Sequence, residues 1–368
     1  MNLGPSLRQL FTSLSIRRLG NGRSCALRRS QAVSLAALWL FIGCAPRTFP
    51  VEPASESPRA KANSSSQAQT PDEAVGNPFA GADLFVVSYT HADQARRRAE
   101  RENAEEARLL AKIADTPQAK WFGEWSSDVE ITAGNYVGAA SKRGKVALLV
   151  AYNIPNRDCG QYSAGGAEAP QSYRDWIAAL AKGIDSRRAI VVLEPDALAH
   201  LTECLSPTDQ EVRLQLLSEA VETLTALPRV AVYLDAGHSR WVPADEMAER
   251  LKRAGIEHAR GFALNTSNYI ADDELIAYGD RIVSSLGETH YIIDSSRNGR
   301  GPTEDLQWCN PAGRALGRPP TADTGHPHLD AYAWLKAPGE SDGECAGGPP
   351  AGQWFHERAL EMARNAAW

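Results

Sequence analysis

The chain has 368 residues, 43% of them hydrophobic and 23% charged, a globular composition able to bury a substantial core. The formal net charge is −6, and because the first 50 residues carry seven arginines and no acid, the remainder bears −13. An acidic body with no basic stripe interleaved with aromatics argues against nucleic acid or an anionic lipid surface as a partner.

Arg28 and Arg29 precede the apolar run Ala32 to Gly43, which is too short to span a bilayer as a stable helix. Residues 1–44 therefore read as an export signal. The run ends Leu40-Phe-Ile-Gly43-Cys44, close to the small-residue-then-Cys site of bacterial lipoprotein signals, with Phe41 where such sites usually carry leucine. Cys44 is thus a candidate lipid anchor, and a secreted or cell-surface location is expected. Residues 45–77 are rich in Ser, Pro, Ala and Gln and are expected to form a flexible tether. The folded body is expected over 78–368, acting as a monomer.

Apolar runs alternate with helical patterns through that body. Strands are predicted at Leu84 to Ser88, Val146 to Tyr152, Ile190 to Leu193, Val230 to Leu234, Gly261 to Leu264, Tyr291 to Ile293 and Ala331 to Leu335. Helices are predicted over 92–114, 171–184, 207–226 and 244–254. Seven strands alternating with helices predict an α/β fold, either a parallel barrel or a doubly wound sheet. Glycine-rich nucleotide-binding patterns are missing. In both architectures ligands bind at the carboxyl ends of the strands.

Four segments place an aspartate at or just past such an end. They are Tyr152-Asn-Ile-Pro-Asn-Arg-Asp158-Cys159, Leu193-Glu-Pro-Asp196-Ala-Leu198, Tyr233-Leu-Asp235-Ala-Gly-His238 and Lys336-Ala-Pro-Gly-Glu340-Ser-Asp342-Gly343. Carboxylates gathered on one rim suit hydrolysis of a glycosidic bond, in which one gives a proton to the leaving oxygen and another orients a water on the opposite face. Taken alone, Asp196 could equally be a helix N-cap, and the Asp342 segment a surface turn. A pKa raised by burial or by a neighbouring carboxylate, with Glu194 and Asp158 the candidates, would suit Asp196 to the acid role.

Together with Trp308-Cys-Asn-Pro311, these segments resemble glycoside hydrolase family 6, in family order from about Phe85 to Trp354. The resemblance implies a single catalytic domain, a distorted parallel (β/α) barrel of about seven strands. It also implies hydrolysis of β-1,4-glucan with inversion and without any cofactor or metal. Residue by residue it implies Asp196 as general acid, Asp158 as the group that tunes the acid and helps position the water, and Asp342 as base. Asp235 would stabilise positive charge or hold sugar hydroxyls, and His238 would orient a neighbour. Ser163 is implied near the water, and Asn265, Asn268, Lys336 and Glu340 near the sugar. Tyr152, Trp121, Trp241 and Trp308 are candidate sugar platforms, since pyranose C–H faces pack on aromatic planes. Trp121 reads equally well as core.

Four cysteines lie in the body, and the sequence alone allows three pairings. With the resemblance in place, Cys159 adjoins Asp158 and Cys204 follows the Asp196 segment, so a Cys159–Cys204 bridge would tie two carboxylate loops together. Cys309–Cys345 would likewise pin the loop carrying Asp342. The segment His326-Pro-His328-Leu-Asp330 has zinc-ligand spacing, but it replaces a variable loop in the resemblance and is not expected to bind metal. The compact stretch from Cys309 to Cys345 favours an endoglucanase acting on internal bonds of cellulose or related β-glucans. The alternatives are a tunnel-type cellobiohydrolase and, more remotely, a surface lipoprotein that binds glycan without cleaving it.

Overall fold

The computed structural model describes residues 76–368; the export signal, Cys44 and nearly all of the expected tether lie outside the described residues. Seven parallel strands run β1 to β7 in chain order across one sheet. They are β1 (Lys120–Phe122), β2 (Ala147–Ala151), β3 (Ala189–Leu193), β4 (Val230–Asp235), β5 (Gly261–Leu264), β6 (His290–Asp294) and β7 (Leu329–Ala333). Between them lie α3 (Val129–Ser141), α4 (Pro170–Ile184), α5 (Pro207–Thr225), α6 (Ala244–Arg253) and α7 (Asp272–Leu286). α1 (His91–Ala99) and α2 (Ala104–Ala114) precede the sheet, and α8 (His356–Asn365) follows it.

The strands are apolar on both faces, as a sheet covered on both sides requires. Leu148, Val150, Ile190, Val192, Tyr233 and Ile292 fill the inside of the curl around Phe79. The alternate residues, Leu149, Val191, Val232, Phe262 and Ile293, pack outward against Tyr136, Leu180, Leu217, Leu251 and Ile282 of the helices. Among the described residues no ladder joins β1 to β7. The seam is spanned instead by the Ala119 N–H donating to the Trp334 carbonyl at 2.9 Å and the Trp121 indole N–H donating to the Leu335 carbonyl at 2.8 Å. The result is the distorted seven-stranded parallel barrel that was expected, and it is incompletely closed.

Two expectations need correction. Leu84 to Ser88 is not a strand of the sheet: Leu84 makes one parallel bridge to Val146, and the chain then turns through Tyr89 (φ 65°) into the Thr90 cap of α1. The first strand is Lys120–Phe122, whose three residues are too few to show an alternation. The helix predicted over 92–114 is two helices, because the Asn103 side chain accepts the Glu106 N–H and starts a new one.

Candidate active site

The carboxyl ends of the strands and the loops just past them carry the four aspartates, two of them, Asp158 and Asp196, on backbone that few side chains adopt. Asp158, Cys159, Glu194 and Asp196 all have left-handed φ between 47° and 68°, which costs each about 1–3 kcal/mol and persists where surroundings over-determine it. Glu194 supplies much of that determination. It is buried, and its carboxylate accepts the N–H groups of Asn153 (3.0 and 2.9 Å) and Ile154 (3.0 Å), so it locks the loop after β2 to the loop after β3. Burial raises its pKa to about 7 against the opposing pull of these hydrogen bonds.

Asp196 lies between these loops and is mostly enclosed. The Tyr152 hydroxyl donates towards its Oδ2 at 3.4 Å, and its own N–H donates to Asp235 Oδ1 at 3.0 Å, which also accepts the Gly237 N–H at 3.0 Å. Burial first, then the charges of Asp235 and Asp158, push the Asp196 carboxyl well above the usual carboxylate range. Asp235 is raised by burial too, but the two backbone donors oppose the rise, so the shared proton resides on Asp196. Of the neighbours anticipated from sequence, Asp158 contributes to the rise at Asp196. Glu194 is committed to backbone, and Asp235 takes its place.

Asp158 Oδ2 accepts the Ser163 N–H at 2.7 Å, and Oδ1 lies 3.7 Å from His200 Nε2. Asp342 is buried beside Arg297, whose Nη1 lies 2.9 Å from both carboxylate oxygens, and Oδ2 also accepts the Asn310 N–H at 3.0 Å. Lys336 Nζ stands 3.7 Å from Oδ1. The Arg297 guanidinium stacks 4.3 Å from the Tyr269 ring centroid.

A cavity of about 360 Å³ is lined by Asp158, Asp196 and Asp342, with Tyr152, Ser163, His238, Asn268, Trp241 and Trp308 around them. It adjoins a second cavity of about 660 Å³ through shared walls at Trp121, Tyr152, Ser163 and Lys336, and Glu340 lines this second half. Trp121 therefore belongs to the cleft wall while also closing the seam. Trp241 is held by its indole N–H donating to Glu203 Oε1 at 2.7 Å, and Trp308 is 41% exposed against Tyr162. Burial lowers the His238 pKa to about 4, leaving a neutral imidazole at the wall.

Asn265 is corrected: it is fully buried, donates to the Asp294 carbonyl at 2.8 Å and accepts the Ile270 N–H at 3.0 Å, so its amide shapes the turn after β5 and does not line the cleft. Asp330 lies at the opposite end of the barrel. Its carboxylate takes two 2.8 Å contacts from Arg260 and one of 2.6 Å from the Tyr233 hydroxyl, away from exposed His326. Among the described residues no group of three or more His, Cys, Asp or Glu could hold a metal ion. The two disulfides are Cys159–Cys204 and Cys309–Cys345.

Sequence reasoning missed Arg297, His200, Glu203 and Asp294. Asp294 ends the apolar run Tyr291-Ile-Ile, the same signal that marked Asp196 and Asp235, and its carboxylate accepts the N–H groups of Ser267, Ser296, Leu335 and Lys336 at 3.0–3.2 Å. It holds the loops after β5, β6 and β7 in register around Asp342. No comparable local signal marks Arg297 or His200: the Asp342 partner of Arg297 and the Asp158 partner of His200 come from distant loops, and only Glu203 is local to His200.

The family model of glycosyl hydrolases family 6 matches residues 79–366. The chain belongs to that family. Over 262 residues it is 49% identical to endoglucanase A of Cellulomonas fimi, covering 71% of this chain and 57% of that protein. Over 265 residues it is 45% identical to endoglucanase 1 of Streptomyces halstedii, covering 70% of this chain and 81% of that one. The chain thus spans little more than half the length of the Cellulomonas relative, while the other is matched over most of its length. Among solved structures, the endoglucanase Cel6 from Mycobacterium tuberculosis, in complex with methyl-cellobiosyl-4-deoxy-4-thio-β-D-cellobioside, aligns with a TM-score of 0.76 at 46% identity. That alignment covers 80% of this chain and all of that one. The match to glycosyl hydrolases family 6 falls within the body expected at 78–368 and includes all four aspartates.

Proposed function

We propose that this chain is an inverting endo-β-1,4-glucanase acting on cellulose or related β-glucans. The observation that carries the reading is the placement of Asp196: a cleft carboxyl just past the end of a strand, in an aromatic-walled groove, where burial and the neighbouring Asp235 and Asp158 push its pKa up. As the glycosidic C–O bond breaks, the Asp196 proton passes to the leaving oxygen while a water attacks the anomeric carbon from the opposite face. Asp235, fixed by two N–H groups beneath the acid, supplies negative charge near the developing oxocarbenium. Asp342 is the candidate base. Oδ1 accepts one hydrogen bond, from Arg297, and keeps a lone pair for a proton taken from water, while the Arg297 charge beside it weakens the base. Asp158 and Ser163, on the neighbouring loop, offer the indirect route. Water activation by either path leaves the anomeric outcome unchanged.

Endo action is favoured by the continuous two-part cleft and by the compact Cys309–Cys345 loop. The proposed test follows viscosity and reducing ends together on a soluble cellulose derivative. An endo-enzyme lowers viscosity before reducing ends accumulate. A feature that favours the tunnel alternative is the contact of Tyr162 with Trp308, 6.0 Å between ring centroids, which joins two loops at the cleft. Cellobiose as the main early product with viscosity preserved would select that alternative.

Export is part of the same reading. The Arg-rich leader followed by an apolar run and the two disulfides in the body support secretion, and Cys44 is the proposed site of lipidation. Mass spectrometry of the mature amino terminus tests it: a diacylglyceryl-modified Cys44 is expected, and an unmodified terminus elsewhere contradicts it.

A further inference from the structure

His200 lies in the 3-10 turn Ala199–Thr202, four residues past Asp196, and only 5% of its surface is exposed. Its two ring nitrogens face carboxylates on opposite sides. Nδ1 is 2.7 Å from Glu203 Oε2, and Nε2 is 3.7 Å from Asp158 Oδ1. A neutral imidazole has one N–H and can serve one of these carboxylates, whereas the imidazolium serves both. The Glu203 carboxylate also accepts the Trp241 indole N–H, and the Trp241 ring meets the His200 ring edge-on with centroids 4.7 Å apart.

The Cys159–Cys204 disulfide fixes this sandwich. Cys159 directly follows Asp158 and Cys204 directly follows Glu203, so the bridge, with Cα atoms 5.7 Å apart, holds both carboxylates about a single ring. The other charged and titratable groups nearby are few. Asp196 faces the ring from the loop after β3, with Asp235 beneath it. Arg250 of α6 grips the Leu198 and Ala199 carbonyls and pairs with Glu246. His238, neutral, stands beyond Trp241.

We propose that His200 is a positioning residue: an imidazolium clamped between Asp158 and Glu203 that orients Asp158, eases proton release from Asp196, and is tied through Glu203 to the Trp241 platform. The proposal rests on Asp196 acting as the general acid. Burial alone disfavours a charged imidazole, but the Asp158 and Glu203 carboxylates on either side oppose it and the net displacement of the His200 pKa is upward. In return the cation opposes what burial, Asp235 and Asp158 do to Asp196. Without it the acid holds its proton to higher pH and gives it up less readily.

The test combines imidazole titration by NMR on carbon-13-labelled histidine with pH profiles of kcat/KM on an unactivated cello-oligosaccharide. The His200 signal is assigned by its loss in His200→Gln. In the native protein it is expected to remain imidazolium through neutral pH, and in Glu203→Gln its midpoint is expected to fall by about one unit or more. The alkaline limb of kcat/KM is expected to move up by about half a unit or more in both variants. A His200 that is neutral at pH 6 to 7 in the native protein would overturn the clamp, taking about 6.5 as the unperturbed value. So would an unmoved limb with activity lowered equally at every pH, the mark of a purely structural role. Should His200→Gln not fold, Glu203→Gln, on a half-exposed side chain, still carries both readouts. An inactive native protein would overturn the acid assignment instead, while the NMR titration, which needs no turnover, would still decide the clamp.

Discussion

Asp196 and Asp342 are both cleft aspartates, yet their surroundings push them towards opposite tasks. Asp196 has the Tyr152 hydroxyl and carboxylate neighbours, which with burial favour its protonated form; Asp342 has Arg297 and Lys336 beside it. Asp196→Ala is expected to lower kcat on cello-oligosaccharides by at least about a hundredfold, with a smaller loss on aryl glycosides whose leaving group needs little protonation. Equal losses on both substrates would remove the acid role. The pH dependence follows from the raised pKa of Asp196. The working form is protonated, so activity is lost as pH rises through that pKa. Asp235→Asn withdraws the largest charge holding it up, and the alkaline limb is expected to move to lower pH. For Arg297, which is only 2% exposed, replacement by Met takes from buried Asp342 its nearer cation, leaving Lys336 at 3.7 Å, and is expected to cost about 3 kcal/mol in denaturant unfolding. Adding Asp342→Leu to that variant should restore part of the loss. Asp196 and Asp235 stood out in the sequence because each closes a short apolar run, whereas Asp158 and Asp342 lie further past theirs and were marked by the resemblance. Arg297 and His200 were not legible, because Asp342 and Asp158, the cleft aspartates they pair with, lie 45 and 42 positions away, and spacing carries no trace of either contact.

Strand ends deliver the chemistry, and loops hold it through contacts that cross between them. Glu194 binds two backbone N–H groups of the loop after β2, Asp294 binds four from three loops, and each disulfide closes onto a carboxylate-bearing turn. Removing Cys159–Cys204, which closes a 45-residue separation, is expected to cost about 4 kcal/mol on chain entropy and also to reduce activity, because the Asp158 loop is released. Unchanged kinetics in a Cys159→Ala/Cys204→Ala variant below its melting temperature would show that the loop holds its shape unaided. Gly166 matters for the same loop: with φ +94° and an added Cβ 2.0 Å from the Ile154 carbonyl oxygen, Gly166→Ala should destabilise by about 2 kcal/mol or more. Six of the seven strands were readable as apolar runs, though β7 begins two residues earlier than expected, at Leu329. β1 was not readable, since Lys120–Phe122 owes its place to its partner Leu149–Ala151 and to the seam with β7 rather than to any pattern of its own.

At the scale of the whole molecule, an incompletely closed barrel with one rim of carboxylates gives a cleft that continues past the catalytic centre. Its two halves, about 360 and 660 Å³, predict that kcat/KM rises with cello-oligosaccharide length until both are filled. A plateau already reached at the disaccharide would mean that only one half binds sugar. The family was legible from five short segments that lie at or past strand ends or, for Trp308 to Pro311, in the connection between β6 and β7, and that contribute residues to the cleft or to the contacts that hold it. The measurement closest to the central claim is proton NMR of the products during the first minutes of hydrolysis of a cello-oligosaccharide. Attack by water opposite the bond that Asp196 protonates yields the α-anomer first, with the β-anomer growing in only by mutarotation. The β-anomer appearing first would mean a covalent intermediate and would contradict the assignment of the acid and its water.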